Sequence, residues 1–438
     1  MASFRNHIFS LPKTSFNVVP RSETVMEKVI AIIDLKSFYA SCECACRHLD
    51  IFKTPLVCVD PYRSENSVVM SVTPFLKEKY GCSNVCRKKD LPNVPGMIFA
   101  VPRMSYYLTL SCKVVSIFLD FVSKEDLHVY SVDESFLNIG PYLKMYRCTA
   151  EELVARIQKT IWDKLGLLAT AGIGPNMFLA KAALDNEGKK KAPYIAHWDY
   201  EDVPTKLWKI KPITKVWSIS NGTSNHLARI GIRSLKELAL APIDLLRKEF
   251  GIMGDQLKDL ANGIDESDIQ NKYVPQNTSL SCGQTLIRGY FPDEALLLLR
   301  EMNDDLSQRL REQDSLAGKV SVYAGFEDGT SFNKSWTLPY KTDDTDTLYE
   351  AIEDMFLASA YNVKIRGIGI SYGSFGKADS VQLSLFEDQD DQIERSKLND
   401  ALDSIHRMFG DNSALRASAL LKNSTVMRRN EQIGGHRR

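Results

Sequence analysis

Asp133 and Glu134 stand side by side in "VYSVDESFLNI", Val129 to Ile139, between apolar residues that alternate as in half-buried strands. An ideal strand sends successive side chains to opposite faces, so one solvent-facing row does not explain both acids. A turn at Asp133-Glu134-Ser135 would let the carboxylates converge, and their repulsion would call for a cation. Alone, the pair fits a solvated hairpin turn better than a metal site. A third acid, Asp34, follows the apolar run Val29 to Ile33 in "KVIAIIDLKSFYASCECACRHL", where the pattern changes from strand to helix. Sites in layered α/β folds lie at such strand ends.

The elements that must position these acids follow from periodicity. "PLVCVD" and "ENSVVMSVTP" read as strands, and "FLKEKYG" as a short helix stopped by Gly81. Tyr106 to Val122 is helical, a hairpin carries the acid pair, and a second helix spans about Ala150 to Leu165. Strand "LLATAGIG" and helix "PNMFLAKAALD" complete a sheet with helices packed on one face. No Rossmann glycine fingerprint is present. The lysines of "NEGKKKAPY" mark a boundary, followed by short helices around a "GI" turn at Gly231. A polar linker then leads to a second α/β unit built as two strand-helix-strand halves. Beyond it come an acidic stretch, a helical pattern from Asp390 to Phe409 and a basic end.

Composition allows this and restricts little else. The chain has 438 residues, 44% hydrophobic and 25% charged, enough for roughly three or four domains. Lysine plus arginine balance aspartate plus glutamate at 55 each, so any basic surface is local. Nothing approaches eighteen uninterrupted apolar residues and no signal peptide is evident, which points to a cytoplasmic protein. The nine cysteines are then expected to be free thiols, since Cys42-x-Cys44-x-Cys46 lacks zinc-finger spacing.

Taken in order, "IIDLKSFYAS", "YSVDESFLNI" and "GIGPNMFLAKAALD" resemble the palm motifs of Y-family DNA polymerases, the translesion enzymes of the UmuC and DinB types, the UmuC-like bacterial proteins most of all. The resemblance covers about residues 28 to 376. It implies an α+β right-hand fold: leader 1–27, palm 28–38 and 99–188, fingers 39–98, thumb 189–265, linker 266–278, little finger 279–376 and tail 377–438. It implies a metal-binding triad of Asp34, Asp133 and Glu134, with the Leu35 carbonyl as a further ligand, for two magnesium ions. Such a pair activates the primer 3'-hydroxyl and neutralises the leaving pyrophosphate. The implied activity is template-directed, low-fidelity translesion synthesis without proofreading, on primer-template DNA with deoxynucleoside triphosphates.

The resemblance assigns further roles residue by residue. Tyr39, beside Phe38, matches the aromatic position that obstructs a 2'-hydroxyl. Lys181 matches a palm lysine on the triphosphate. In the fingers the family's phosphate-holding arginine has no clean counterpart: "TPFLKEKYG" offers Lys77 if one residue is inserted and Glu78 if none is, with Lys79 as a substitute. Repulsion between glutamate and triphosphate favours Lys77. The thumb's usual Gly-x-Gly is reduced to Asn221-Gly222, from which a positive-φ turn gripping duplex phosphates is expected together with Gly231. Lys334, Trp336 and Arg366 are left open between surface and core. Gln382, Leu383, Leu385 and Phe386 in "VQLSLFED" look like the pentapeptide that docks on the bacterial sliding clamp. SOS accessory proteins are further partners of this family. Two other readings remain: a catalytically weak DNA- or clamp-binding regulator, and a nucleotidyl cyclase sharing the paired acids.

Overall fold

The computed structural model describes residues 28–438 apart from 63, 84–85, 272–277 and 378–388. The chain divides into two compact units, Met1–Lys272 and Tyr273–Arg438. In the first, the continuous apolar run forms strand β1 (Ile30–Leu35), buried along its whole length. Helix α1 (Phe38–Cys46) follows at once, the chain turning through Ser37 in the left-handed region at φ 51. That conformation is costly for a residue with a Cβ. Short strands β2 (Leu56–Cys58), β3 (Ser71–Val72) and β4 (Ile98–Ala100) make a small sheet in the order β3-β2-β4. The strand read in "ENSVVMSVTP" is thus only two residues long. Helix α2 (Pro74–Tyr80) begins on proline and ends at Gly81, φ 66, as its sequence demands.

Helix α3 (Met104–Leu119) leads to strand β5 (Leu127–Val129), strand β6 (Glu134–Asn138) and short helix α4 (Gly140–Tyr146). Helix α5 (Ala150–Leu165) has a Thr149–Glu152 capping box and buries Leu153, Val154, Ile157 and Ile161. Strand β7 (Ala169–Gly174), helix α6 (Met177–Ala183) and strand β8 (Ile195–His197) complete the main sheet, ordered β5-β6-β1-β7-β8. Helix α6 lies directly on β7 because position 172 is glycine: a Cβ there would sit 2.0 Å from the Ala180 carbonyl oxygen.

Short helix α7 (Asp202–Thr205) precedes α8 (Asn221–Arg229), α9 (Leu235–Leu240), α10 (Ile243–Phe250) and α11 (Ile252–Ala261), which share one apolar core around Leu227, Leu235, Leu238, Leu246 and Leu257. The expected turn at Asn221-Gly222 is corrected here. Both residues lie in the first turn of α8, which Ser220 caps, and the positive-φ residue is Gly231, at 87°. Serine is the better cap, so the helix starts one residue earlier than a glycine turn would allow. Part of the stretch expected as a linker is packed: Ile269 is buried against Ile30 and Ile32, and Gln270 donates to Asp126 at 3.1 Å.

The second unit holds β9 (Ser279–Tyr290), α12 (Pro292–Arg311), β10 (Ser315–Phe326), β11 (Ser331–Thr342), α13 (Thr345–Leu357) and β12 (Ile365–Gly373). Its antiparallel sheet runs β11-β10-β12-β9, the two-halves pattern read from sequence. Val320, Val322, Ala324 and Phe326 alternate into a core shared with Leu298, Met302, Leu306 and Ile352. Lys334, Trp336 and Arg366 are all exposed. After the two-residue strand β13 (Gly376–Lys377), helix α14 (Gln389–Phe409) docks on α12 through a buried Arg311–Asp403 pair at 2.6 Å. Gln382, Leu383, Leu385 and Phe386 lie outside the described residues.

Candidate active site

The register of β1 against β6 sets Asp34 directly opposite Glu134, and that of β1 against β7 sets Asp34 opposite Thr170. Cross-strand partners in an antiparallel pair share a face, so two carboxylates distant in sequence become neighbours. Asp133 precedes β6, and its carbonyl accepts from the Leu35 amide at 3.0 Å, tying the hairpin to the end of β1. The bend falls at Ser131–Asp133, earlier than the turn expected at Asp133-Glu134-Ser135. The amides of Tyr130 and Ser131 both donate to the Glu134 carbonyl, so Glu134 already belongs to the strand. The Asp133 carboxylate accepts from the Ser131 hydroxyl at 2.9 Å.

Two lysines neutralise these acids. Lys181, on α6, reaches Glu134 at 2.5 Å and Asp185 at 3.2 Å. Lys189 lies 3.0 Å from Asp34, 3.4 Å from Glu134 and 2.9 Å from Asp185. A π-helical turn, Leu184–Gly188, extends α6 and delivers both Asp185 and Lys189 to the site. Burial pushes the Asp34 carboxyl up, with Lys189 opposing and the adjacent Glu134 adding to the rise. Burial also works against the Glu134 charge, but the hydrogen bond from Asp34 and the charges of Lys181 and Lys189 hold that carboxyl low.

The donor set suits a hard divalent cation: side-by-side carboxylates, buried, with ammonium groups supplying the compensating charge. Among the described residues no three His, Cys, Asp or Glu side chains are arranged to hold a metal ion. Asp133 faces Ser131, and Lys189 holds the other two acids.

Around the acids stand the remaining expected residues. Tyr39 packs at a tilt against Phe38, ring centroids 5.5 Å apart, and against Tyr107 at 5.0 Å. Burial, with the nearby Asp133, pushes its phenol up to about 12, so it stays neutral. Lys77 is half-buried: burial brings its ammonium down to about 8, Lys36 and Lys189 add to this, and Asp34 opposes it. Lys79 is exposed and lies over the Phe75 ring at 4.8 Å, and Glu78 is exposed. Of the candidates, Lys77 feels the charge of Asp34, and Glu78 acts on Lys36. Asn221 and Gly222 are exposed at the start of α8, an end that favours anions. Gly231 is exposed in the turn that follows.

Sequence reasoning missed Lys36 and Lys189. Lys36 donates to the Lys189 carbonyl at 2.8 Å from the turn that ends β1, and its closeness in sequence to Asp34 is the only signal the sequence offers for it. Lys189 lies in the lysine run that marks a boundary in the sequence, and no local pattern announces a π turn.

The impB/mucB/samB family profile matches residues 33–185, the segment that supplies every acid of the site, and the profile of that family's C-terminal domain matches 277–385. The chain belongs to the impB/mucB/samB family, the Y-family DNA polymerases. Among Y-family relatives, the putative UV-damage repair protein UvrX of Bacillus subtilis is 34% identical over 414 residues, covering 94% of this chain and 98% of UvrX. DNA polymerase IV 2 of the same organism is 32% identical over 416 residues, 94% of this chain and 99% of that one. A solved Y-family DNA polymerase chimera of Dbh and Dpo4 superposes with a TM-score of 0.64 at 20% identity, covering 79% of this chain and 98% of its own. The Y-family right-hand fold, mixed α+β with a separate C-terminal α/β domain, accounts for both units.

Proposed function

We infer that this chain is a DNA-directed DNA polymerase that performs translesion synthesis, extending a primer with deoxynucleoside triphosphates opposite damaged bases. The observation that carries this is the β1–β6 register, which makes Asp34 and Glu134 neighbours in a chain carrying both Y-family domains. Asp34, Asp133 and Glu134, with the Leu35 carbonyl, would hold two magnesium ions. Bound there, the ions supply Lewis acidity to the primer 3'-hydroxyl and to the leaving pyrophosphate.

The chain's own residues do the rest. Asp133, tied to the end of β1 through the Leu35 amide, stays within reach of the paired acids. Lys77, on α2, and Lys36 hold the triphosphate, with Lys181 and Lys189 turning to it from Glu134 and Asp34. Lys79 points away from this role. Tyr39, backed by Phe38 and Tyr107, obstructs a 2'-hydroxyl. The exposed start of α8 at Asn221 and Gly222, with the Gly231 turn, supports backbone-amide contact to duplex phosphates. Gln382, Leu383, Leu385 and Phe386 dock on the bacterial sliding clamp, and SOS accessory proteins complete the set of partners. No helix among the described residues is long and apolar enough to cross a membrane; we assign the protein to the cytoplasm.

Primer extension with magnesium on undamaged and lesion-bearing templates tests the function. The expected result is incorporation on both templates, by a protein that does not degrade the primer. No nucleotide addition on either template would refute it. Deleting residues 382–386 should abolish clamp binding and clamp-stimulated synthesis while leaving unassisted extension unchanged.

A further inference from the structure

Beneath Tyr39 the first unit holds a charged network, centred on one buried carboxylate, that the polymerase reaction does not use. Glu43 on α1 and Tyr107 on α3 are both fully buried. The Tyr107 hydroxyl donates to Glu43 Oε1 at 2.7 Å. Arg103 binds the same carboxylate with two donors, Nε to Oε1 at 3.0 Å and Nη2 to Oε2 at 2.9 Å, and Arg47 adds a third cationic contact. The Cys58 thiol lies 3.2 Å from the Tyr107 oxygen. Burial pushes that thiol up to about 12, so it keeps its proton and can donate to the phenol.

Stability alone does not call for this arrangement. A buried ion pair is commonly replaced by apolar residues of similar volume at no cost, because desolvation cancels most of its attraction. What the network provides is geometric. A planar two-donor arginine contact fixes the carboxylate, the carboxylate fixes the tip of the Tyr107 ring, and that ring packs 5.0 Å from Tyr39 at a 41° tilt. Phe38 closes the other side, 6.5 Å from Tyr107. A group that admits or rejects one hydroxyl must be held to a fraction of an ångström, and among the described residues the Tyr39 hydroxyl has no hydrogen bond that could do this for it.

We propose that the pair formed by buried Glu43 and half-exposed Arg103, acting through Tyr107, holds Tyr39 in place and so sets how strongly the site rejects ribonucleotides. The proposal rests on Tyr39 being the sugar gate. Glu43, Arg103 and Tyr107 are positioning residues, acting through Tyr39. Tyr107→Phe keeps the ring and its packing and removes only the anchoring hydroxyl. Glu43→Gln keeps the shape and weakens both the arginine fork and the anchor.

The test is the ratio of kcat/KM for dCTP over CTP in primer extension by the full-length protein, with thermal midpoints measured alongside. Tyr39→Ala should lower the ratio more than tenfold, as expected when a group that excludes one hydroxyl is removed. Tyr107→Phe and Glu43→Gln should each lower it about fivefold, the worth of one net hydrogen bond, mainly through better use of CTP. If Tyr39→Ala lowers the ratio and both network variants leave it unchanged, the proposal is overturned and the sugar gate stands. If the network variants lose dCTP and CTP activity in parallel, the network is merely structural and the proposal is again overturned. If Tyr39→Ala leaves the ratio unchanged, the sugar-gate reading itself fails and takes the proposal with it.

Discussion

Breaking the Glu43–Arg103 pair from its two sides should have unequal costs. Arg103→Met removes the bidentate partner and leaves a carboxylate with no solvent exposure, sustained by Tyr107 and Arg47. Removing one partner of a buried pair costs about 3–5 kcal/mol, and with Arg103 half-exposed and the Arg47 contact surviving, this case falls at about 3. Glu43→Gln instead strands two guanidinium groups whose side chains are 44% and 37% exposed and can return to water. Its glutamine still accepts from Tyr107, so the loss is confined to weakened hydrogen bonds, about 1 kcal/mol. The two variants should differ by about 2 kcal/mol, a shift of roughly 1 M in urea midpoint at an m-value of about 2 kcal/mol/M.

Tryptophan fluorescence reads this transition. Trp162, Trp198, Trp208 and Trp217 belong to the first unit, and a Trp336→Phe background silences the second. Acid adds a second signature. Burial pushes the Glu43 carboxyl up, but hydrogen bonds from Arg103, Tyr107 and Arg47 outweigh it and hold the group below its ordinary 4.5. A depressed folded-state pKa contributes stability that is present above the unfolded value and is lost as pH falls through the folded value. The stability gap between wild type and Glu43→Gln should therefore close below about pH 4.5. Equal costs for the two variants, or a gap that is independent of pH, would refute the reasoning.

Two other substitutions follow from the site's geometry. Lys77→Ala should raise KM for the incoming nucleotide roughly tenfold, the worth of a charge-assisted hydrogen bond, while Lys79→Ala changes it less than about twofold. Because the Lys77 ammonium is brought down to about 8, wild-type kcat/KM should fall as pH rises through 8, and Lys77→Ala should lose that limb. Gly172→Ala places a Cβ against backbone atoms of Ala180 and Leu184, 2.0 and 2.5 Å away, which cannot yield as a flexible side chain would. It should cost about 3 kcal/mol of stability and, by lifting α6 and Lys181 off the sheet, lower activity as well.

What could be read from the sequence was local. Asp34 at a strand end and Asp133-Glu134 at a hairpin are each announced by a change of hydrophobic period within a few residues. Their meeting depends on the β1–β6 register, which no single segment encodes. Lys189 escaped because a π turn is a one-residue excess in a helix, invisible to periodicity, and because lysine runs ordinarily mean solvent. Asn221-Gly222 was read as a turn since glycine permits one, whereas Ser220 caps a helix there and Gly231 makes the turn. The packing of α14 was unreadable for a different reason: Asp403 finds Arg311 across 92 residues, and such a pair leaves no mark on the sequence around either member.

The central claim is that Asp34, Asp133 and Glu134 form one catalytic unit. Single-turnover nucleotide incorporation by Asp34→Asn, Asp133→Asn, Glu134→Gln and the triple variant, with primer-template affinity measured in parallel, tests it most directly. Groups acting as a unit are not additive, so each single variant should lose about a thousandfold or more and the triple variant little beyond that, with DNA affinity within a few-fold of wild type. Incorporation near the wild-type rate by any one of the three would contradict the account.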